Sequence, residues 1–202
     1  MNKQQLLQSL KQRGFSKQIL NAFSKVKREN FIPEKIKNHV YEDIALPIGK
    51  GQTISQPYTI GMMLSLLGLK KDQKILEIGS GCGYVLALIS KIVGRQGKIF
   101  GIEIVRELAE KSKETLKEYN NIKIYNIDGS KGLEEKAPFD RIIISAACKE
   151  LPEKLASQLK DNGIIVAPIG PMYEQSLIAY KKIKDKLVVK KEISGFVFVP
   201  FV

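Results

Sequence analysis

The residues best placed for chemistry form a glycine-rich turn that follows a short apolar run. Gly79, Gly81 and Gly83 come directly after residues 74–78, which are mostly apolar. Glycines at a junction between a strand and a helix allow a tight turn and let a ligand approach the main chain closely. Glu103 ends the next apolar run, and a carboxylate at that place can accept hydrogen bonds from a ribose diol. The turn and the acid together predict a site for an adenosine-containing cofactor at the carboxyl ends of the strands.

Two further acidic residues indicate which adenosine cofactor this is. Glu77 lies inside the apolar run just before the turn, where its carboxylate would repel a pyrophosphate but can pair with an ammonium group. The spacing Gly-x-Gly-x-Gly also differs from the Gly-x-Gly-x-x-Gly of NAD sites. Asp128, followed by Gly129, could place a carboxylate near an adenine amino group. These residues favour S-adenosyl-L-methionine, with S-adenosyl-L-homocysteine as the product. The alternative is a glycine turn that serves packing alone, with Glu77 and Glu103 solvated.

The elements that must position these residues follow a regular order. Strand and helix patterns alternate from about residue 73, which predicts a mainly parallel sheet covered by helices on both faces. The last two strands have no helix between them, which suggests an antiparallel edge. We therefore expect a doubly wound α/β fold of about seven strands. The predicted strands are 74–78, 98–103, 122–127, 140–145, 164–167, 176–184 and 187–199.

The first third of the chain has a different character. Residues 2–30 carry apolar side chains at helical spacing in two segments separated by Gly14, and Ser16 is a suitable N-cap for the second. Residues 41–57 are rich in glycine, proline and short polar side chains, which predicts a loop or hairpin. An apolar helix is expected to follow, over about 58–69. The α/β core is thus preceded by an N-terminal helical extension.

Composition excludes several classes of protein. The 202 residues include 33 Lys and Arg against 21 Asp and Glu, and the net charge of +12 attracts acidic partners without selecting among them. Two cysteines and a single histidine make neither a disulfide framework nor a zinc cluster, so no metal site is expected. The N-terminus lacks the apolar core of a signal peptide, and the longest apolar stretches are about half the length of a membrane span. We expect a cytoplasmic protein.

The segment before the glycine turn carries a family resemblance. Residues 51–57 read Gly-Gln-Thr-Ile-Ser-Gln-Pro, which resembles the signature of protein-L-isoaspartate O-methyltransferases. These enzymes methylate the abnormal α-carboxyl of isoaspartyl residues in damaged proteins. The glycine turn alone is typical of all class I methyltransferases with a Rossmann-like fold, whereas the Gln-Thr-Ile-Ser-x-Pro segment is specific. The resemblance extends from about residue 10 to residue 200, and further matching segments are 76–84, 128–129, 145–147, 168–170 and 198–200.

The resemblance also assigns roles to individual residues. It implies an active-site role for Ser55, with Thr53 and Ile54 beside it at the junction between cofactor and substrate. It implies a single methyltransferase domain, with a helical extension and substrate loop at 1–57 and a cofactor-binding core at 58–202. The residue patterns and the resemblance together give these cofactor-binding candidates: Thr53, Ile54, Ser55, Glu77, Gly79, Ser80, Gly81, Gly83, Glu103, Ile104, Asp128 and Gly129.

This chemistry suits a chain with one histidine. A substrate carboxylate has a reference pKa of about 3.5–4, so it is ionised at neutral pH and needs no general base. The Ser55 hydroxyl can hold one carboxylate oxygen, although a serine here could also cap the following helix. We expect His39 to be a surface or packing residue, and Cys148, just past the fourth strand, to be a small buried thiol rather than a nucleophile.

Three departures from the family pattern keep other functions open. Gln56 and Tyr58 stand where the family often has alanine and histidine, and Ile104 stands where it often has arginine. One alternative is a methyltransferase for another substrate such as RNA, because the chain is basic. The other is a family member that binds the cofactor without catalysis. The expected partners are isoaspartyl-containing proteins and peptides, with no stable nucleic-acid partner and no membrane, and we expect a monomer.

Overall fold

The computed structural model describes residues 1–201, which form nine strands and six α-helices. The strands are β1 (Leu46–Gly49), β2 (Gln52–Ile54), β3 (Lys74–Ile78), β4 (Lys98–Ile102), β5 (Ile122–Tyr125), β6 (Phe139–Ile144), β7 (Leu159–Ile169), β8 (Gln175–Ile183) and β9 (Lys186–Phe196). The helices are α1 (Lys3–Gln12), α2 (Lys17–Lys25), α3 (Pro57–Leu67), α4 (Tyr84–Val93), α5 (Arg106–Thr115) and α6 (Glu153–Ser157). Short 3-10 turns lie at Arg28–Phe31, Glu34–His39 and Glu134–Lys136.

Seven of the strands form one sheet, in the order β5-β4-β3-β6-β7-β8-β9. The strands from β5 to β7 are parallel, and β8 and β9 extend the sheet as antiparallel hairpins. The chain reverses direction across the sheet between β3 and β6, which places their carboxyl ends beside each other. In such sheets ligands bind at this crossover point. The prediction of a doubly wound, mainly parallel sheet with an antiparallel edge is confirmed.

The side chains of the central strand β3 belong to two apolar layers, one on each face of the sheet. Ile75 belongs to an apolar layer that includes residues of α1 to α5, whereas Leu76 and Ile78 belong to the opposite layer with Leu155 of α6. Since both faces are buried, apolar residues run continuously along the strand instead of alternating with polar ones. Glu77 is the exception within β3, and a buried carboxylate at a strand end requires a specific partner.

The N-terminal extension packs against this core. Asn2 caps α1 in a reciprocal pair of hydrogen bonds with Gln5, and the Ser16 side chain accepts from the Ile19 N–H at 3.4 Å at the start of α2, as predicted. The apolar face of α2 lies on α4, where Phe23 meets Tyr84 edge to face. The extension therefore contacts the helix that follows the glycine turn.

The predicted loop or hairpin at 41–57 is a hairpin, formed by β1 and β2. Its turn is at Lys50, which has a φ of 56° between two glycines that also have positive φ. After β2 the chain passes through Ser55 and Gln56 and enters α3, which ends at Gly68 in the left-handed conformation. None of the helices within residues 1–201 has the length and apolar character that a membrane span requires.

β3 has its predicted bounds, β4, β5, β6, β8 and β9 differ from theirs by one to three residues at an end, and β7 differs most. β7 begins at Leu159, five residues before the predicted start at Ile164. After the buried Leu159, residues 160–162 are exposed and polar, Asn162 has a φ of 62°, and the pairing with β6 is irregular between Phe139 and Arg141. The prediction of a start at 164 was wrong because an exposed, kinked strand end has the composition of a turn.

Candidate active site

The glycine turn between β3 and α4 has the conformation that its sequence predicts. Gly83 is the N-cap residue of α4 and has a φ of 82°, a region that residues with a side chain rarely adopt. A Cβ on Gly83 would also lie 2.6 Å from Leu116 Cδ1, so α5 packs directly on the turn. Gly83 permits the turn through its positive φ, but it does not line the cavities described below.

Glu103 is held at the end of β4 by main-chain donors. One of its carboxylate oxygens accepts from the Gly81 N–H at 2.7 Å, and the other accepts from the Val105 N–H at 2.9 Å. The side chain is buried, and Asn126 supports it by donating to the carbonyls of Glu103 and Ile104 at 2.8 and 3.0 Å. Each carboxylate oxygen retains acceptor capacity, so a ribose diol can still bind. No sequence pattern distinguishes Asn126, which is one of several polar residues after β5.

Glu77 is the most unusual charged group at this end of the sheet. Its side chain is 1% exposed; one oxygen accepts from the Ser145 hydroxyl at 2.7 Å, and the other, Oε2, has no hydrogen-bond partner among residues 1–201. Burial is the main cause that raises the pKa of Glu77 to about 8; the Ser145 hydrogen bond opposes this effect and nearby Glu103 adds to it. An unpaired buried carboxylate oxygen is costly, and a cationic N–H donor would satisfy it.

A cleft opens beside these two acids at the carboxyl ends of the strands. Gly79, Gly81 and Gly129 form its floor, and a Cβ on Gly129 would lie 2.4 Å from Ile78. Its other lining residues are Ile48, Gln52, Thr53, Ile78, Ile102, Glu103, Ile104, Val105, Ser145, Ala146, Val199, Pro200 and Phe201. The cleft is therefore closed by the β1–β2 hairpin on one side and by residues after β9 on another.

The hairpin is tied across the cleft by an ion pair. Lys50 Nζ in the hairpin turn lies 2.7 Å from Glu107 Oε1 in the first turn of α5. Both side chains are more than half exposed, so the pair is weak and sensitive to salt. Ile48 from the same hairpin lies close to the glycine turn, since a Cβ on Gly81 would be 3.2 Å from Ile48 Cδ1.

A smaller pocket continues from the cleft toward Glu77. It shares Thr53, Gly79, Gly81 and Ser145 with the cleft. Its remaining lining residues are Ile54, Ser55, Glu77, Ser80, Cys82, Tyr84 and Val85. Of the predicted cofactor candidates, ten thus line the cleft or this pocket, and Ser55 is among them.

A groove on the far side of the hairpin meets the pocket at Ser55. Thr53, Ser55 and Ser145 line both cavities, and the groove is continued by residues 193–199 at the end of β9. Ser55 is half-buried, and neither its hydroxyl nor the Gln56 N–H has a hydrogen-bond partner within residues 1–201. Gln56, not Ser55, is the N-cap residue of α3, so the interpretation of Ser55 as a capping residue was wrong.

Other predicted residues lie differently. Asp128 is exposed; it accepts from the Ser130 N–H and hydroxyl at 2.8 and 2.9 Å, which lowers the pKa of its carboxyl, and it does not line the cleft. Ser80 contributes to the small pocket, although its hydroxyl lies beside Gly101 in the protein interior. His39 is an exposed residue that pairs with Glu42.

Cys148 has the properties of an inert thiol. It is 4% exposed, and burial raises the pKa of its thiol to about 11. A thiol with so high a pKa is almost entirely protonated at neutral pH and is a poor nucleophile. It lines an apolar pocket with Phe198 and Met172, and Ser55 is not among the residues of that pocket.

Comparison with known proteins decides the family. A family model described as protein-L-isoaspartate(D-aspartate) O-methyltransferase matches residues 1–202. The chain belongs to this family. A relative from Fervidobacterium nodosum, named protein-L-isoaspartate O-methyltransferase, is 43% identical over 197 residues, which cover 96% of this chain and 98% of the relative.

Solved structures of the family agree in fold. One protein-L-isoaspartate O-methyltransferase superposes with a TM-score of 0.91 at 31% identity, covering 98% of this chain but only 65% of the longer neighbour. A Plasmodium falciparum protein described as a protein-L-isoaspartate O-methyltransferase, in complex with S-adenosyl-L-homocysteine, gives a TM-score of 0.87 at 28% identity and covers 100% of this chain and 99% of the neighbour. The resemblance to this family in the sequence is therefore confirmed.

Proposed function

We propose that this chain is a protein-L-isoaspartate O-methyltransferase, which transfers a methyl group from S-adenosyl-L-methionine to the free carboxyl of isoaspartyl residues in damaged proteins. One structural observation carries the proposal. The cavity that contains the unpaired Glu77 oxygen opens, past Thr53 and Ser55, into a groove where a peptide can lie. This arrangement supports a cofactor site and a substrate site that meet at the hairpin segment with the family signature.

The residues of the first cavity fit the cofactor. Glu77 Oε2 needs a cationic donor, and the ammonium group of the methionine portion is one. Glu103, fixed by two main-chain N–H groups, faces the cleft where a ribose diol would bind. Gly79, Gly81 and Gly129 let the ligand approach the backbone. When bound, S-adenosyl-L-methionine supplies a methyl group on a positively charged sulfur, which becomes the neutral thioether of S-adenosyl-L-homocysteine.

The residues of the groove fit an anionic substrate. We propose that the Ser55 hydroxyl donates to one oxygen of the substrate carboxylate and that the Gln56 N–H is available to the other. No proton has to be removed, because the carboxylate has a reference pKa of about 3.5 and is already ionised. The task of the protein is to align the carboxylate with the methyl group and to exclude water. The hairpin and residues 199–201 line the cleft and would exclude water from it.

Charge in the groove agrees with this assignment. Arg13 lines the groove, stacks over the Tyr58 ring at 4.8 Å and pairs with Asp43 at 2.8 Å, and its side chain remains 43% exposed. Asp43 in turn accepts from the Tyr58 N–H at 2.8 Å and so caps α3. The Arg13 guanidinium in the groove and the N-terminus of α3 beside Ser55 both favour a negatively charged substrate.

A methyl-transfer assay with matched peptides tests the proposed function. An isoaspartyl peptide should be labelled, whereas the same peptide with a normal aspartyl residue should not. Equal labelling of both peptides, or of neither, would contradict the proposal, and strong labelling of RNA would favour a nucleic-acid methyltransferase instead.

The substitution Ser55→Ala tests the proposed active residue in the same assay. Loss of one hydrogen bond to a charged group should lower kcat/KM by about 10- to 100-fold. The affinity for S-adenosyl-L-homocysteine, measured by calorimetry, should stay within about twofold of wild type, since Glu77 and Glu103 are intact. A fully active Ser55→Ala variant would refute the role of this hydroxyl.

We further propose that the chain acts as a single domain and a monomer in the cytoplasm, without a stable nucleic-acid or membrane partner. The apolar layer that joins α1 and α2 to α4 and the sheet supports one cooperative unit for 1–57 and 58–202. Light scattering after gel filtration tests the oligomeric state. A dimer at micromolar concentration would contradict this part of the proposal.

A further inference from the structure

A buried arginine lies directly behind the Ser55 segment. Arg28, in the 3-10 turn before the hairpin, is 0% exposed. Its Nη2 donates to the Ser55 carbonyl at 3.1 Å and to the Ile44 carbonyl at 3.3 Å. Its guanidinium also lies over the ring of Tyr84, 5.3 Å from the centroid. These contacts join the two segments that flank the hairpin to the first residue of α4.

A gain in folding stability does not explain why an arginine occupies this buried position. Within residues 1–201 Arg28 forms no ion pair, and its Nε and Nη1 have no hydrogen-bond partner. Burial lowers the pKa of the guanidinium, yet an arginine stays protonated in proteins. A buried charge without a carboxylate partner is costly, and an apolar side chain of similar volume is often the more stable choice. The cost of this buried charge points to a role beyond stability for the carbonyl contacts that an apolar residue could not make.

The geometry of one peptide group supplies that function. The Ser55 carbonyl and the Gln56 N–H belong to the same planar trans peptide, so they point in opposite directions. Because the carbonyl is directed at Arg28 in the interior, the N–H is directed away from it, on the side of the groove that Ser55 and Gln56 line. A charged donor on the carbonyl also polarises the peptide and strengthens its N–H as a donor.

We propose that Arg28 is a positioning residue for substrate binding, which orients the Ser55–Gln56 peptide so that its N–H and the Ser55 hydroxyl bind the substrate carboxylate together. The inference rests on the proposed function. The positive charge of Arg28 also favours an anion over a neutral group at this place. Arg28 does not touch substrate or cofactor, and it acts through the peptide that it holds.

The test compares Arg28→Met with a matched control at the other side of the sheet. Lys182 is also a buried cation that holds two carbonyls, those of Ala156 and Leu159, at 3.1 and 3.0 Å. Lys182 also pairs with the exposed Asp185 at 3.5 Å, and none of these residues lines the groove. Lys182→Met therefore removes a buried cation and its contacts with two carbonyls without touching the groove. Both variants should lose thermal stability, but only Arg28→Met should change substrate binding.

The measurements are methyl transfer to an isoaspartyl peptide, calorimetry with S-adenosyl-L-homocysteine, and competitive inhibition by the same peptide with its free carboxyl amidated. Arg28→Met should lower kcat/KM by about 10- to 100-fold, mainly through KM, and should bring the affinities for the charged and amidated peptides closer together. Arg28→Lys keeps the charge and should recover part of the loss. The affinity for S-adenosyl-L-homocysteine should change by less than about threefold in every variant.

Several outcomes would overturn the inference. These are a KM for Arg28→Met within about twofold of wild type, equal effects of Arg28→Met and Lys182→Met, and an unchanged preference for the charged peptide. If Arg28→Met does not fold, Arg28→Gln decides, because it keeps an N–H donor but removes the charge. A KM within about twofold of wild type and an unchanged preference for the charged peptide in that variant would overturn the inference. Failure of the wild-type chain to methylate the isoaspartyl peptide would refute the proposed function separately.

Discussion

Binding of S-adenosyl-L-homocysteine should be coupled to the release of a proton from Glu77. In the free protein, burial raises the pKa of Glu77 to about 8, and its Oε2 has no partner. A cationic ammonium placed at this oxygen favours the ionised carboxylate, so the pKa falls when the ligand binds. Binding is therefore strongest when Glu77 is already ionised, and the affinity should rise with pH up to about 8 and then level off.

The size of the effect follows from the pKa. At pH 7 a group with a pKa of about 8 is roughly nine-tenths protonated, so about 0.9 proton should be released for each ligand bound. The affinity should fall about fivefold from pH 8 to pH 7 and about tenfold from pH 7 to pH 6, so the total between pH 8 and pH 6 should be about 50-fold. These values hold while the pKa in the complex stays below about 5.

Calorimetry in buffers of different ionisation enthalpy measures both quantities. The matched variant is Glu77→Gln, which keeps the size of the side chain but removes the titrating group. Its affinity should be about 10- to 100-fold weaker at pH 8 and independent of pH between 6 and 8. The reasoning is refuted if wild type releases no proton at pH 7, or if Glu77→Gln retains the pH dependence of wild type.

Two further predictions concern the edges of the site. Lys50→Gln removes the ion pair with Glu107 that holds the hairpin to α5. Dissociation of S-adenosyl-L-homocysteine, measured by stopped-flow, should become about two- to fivefold faster than in wild type at low salt. At about 1 M salt, where the pair is screened, the two rates should differ little. An equal rate at low salt would show that the pair does not restrain the hairpin. Gly83→Ala should lower the free energy of unfolding, measured in urea, by about 2–4 kcal/mol. The added Cβ is strained at the positive φ of this residue and lies too close to Leu116. The control is Gly14→Ala, because Gly14 has a φ of 86° but no atom lies within 4 Å of the added Cβ. This variant should lose only about 1 kcal/mol of unfolding free energy. Equal losses in the two variants would show that the contact with Leu116 adds nothing.

The sheet was predictable because its signal is local. In β3 the predicted and observed bounds coincide, since a short apolar run before glycines in a doubly wound fold has few other interpretations. The site acids Glu77 and Glu103 were predictable for the same reason, as each is a carboxylate at the end of a buried parallel strand. Such positions meet at one edge of the sheet whatever the details of packing.

The parts of the site that no local sequence pattern marks were not predictable. Among 33 Lys and Arg, no local pattern distinguishes Arg28, because its burial depends on how the hairpin and α4 close around it. Residues 199–201 line the cleft only because the β8–β9 hairpin returns the chain to the carboxyl end of β6, where Ala147 pairs with Pro200. The role of Asp128 at the adenine remains a prediction, since in the structure its side chain binds Ser130.

The arrangement of charge around the site has a consequence for turnover. Glu77 and Glu103 lie on the sheet side, whereas Arg28 and the N-terminus of α3 lie behind the hairpin. In the proposed complex a cationic cofactor and an anionic carboxylate each meet the opposite charge, and Thr53 and Ser55, which line both cavities, lie between them. Methyl transfer neutralises both ligands at once, so the methyl ester no longer benefits from the charge of Arg28 or from the polarised Gln56 N–H. The same contacts that bind the substrate are thus weaker for the product, which favours release of the ester.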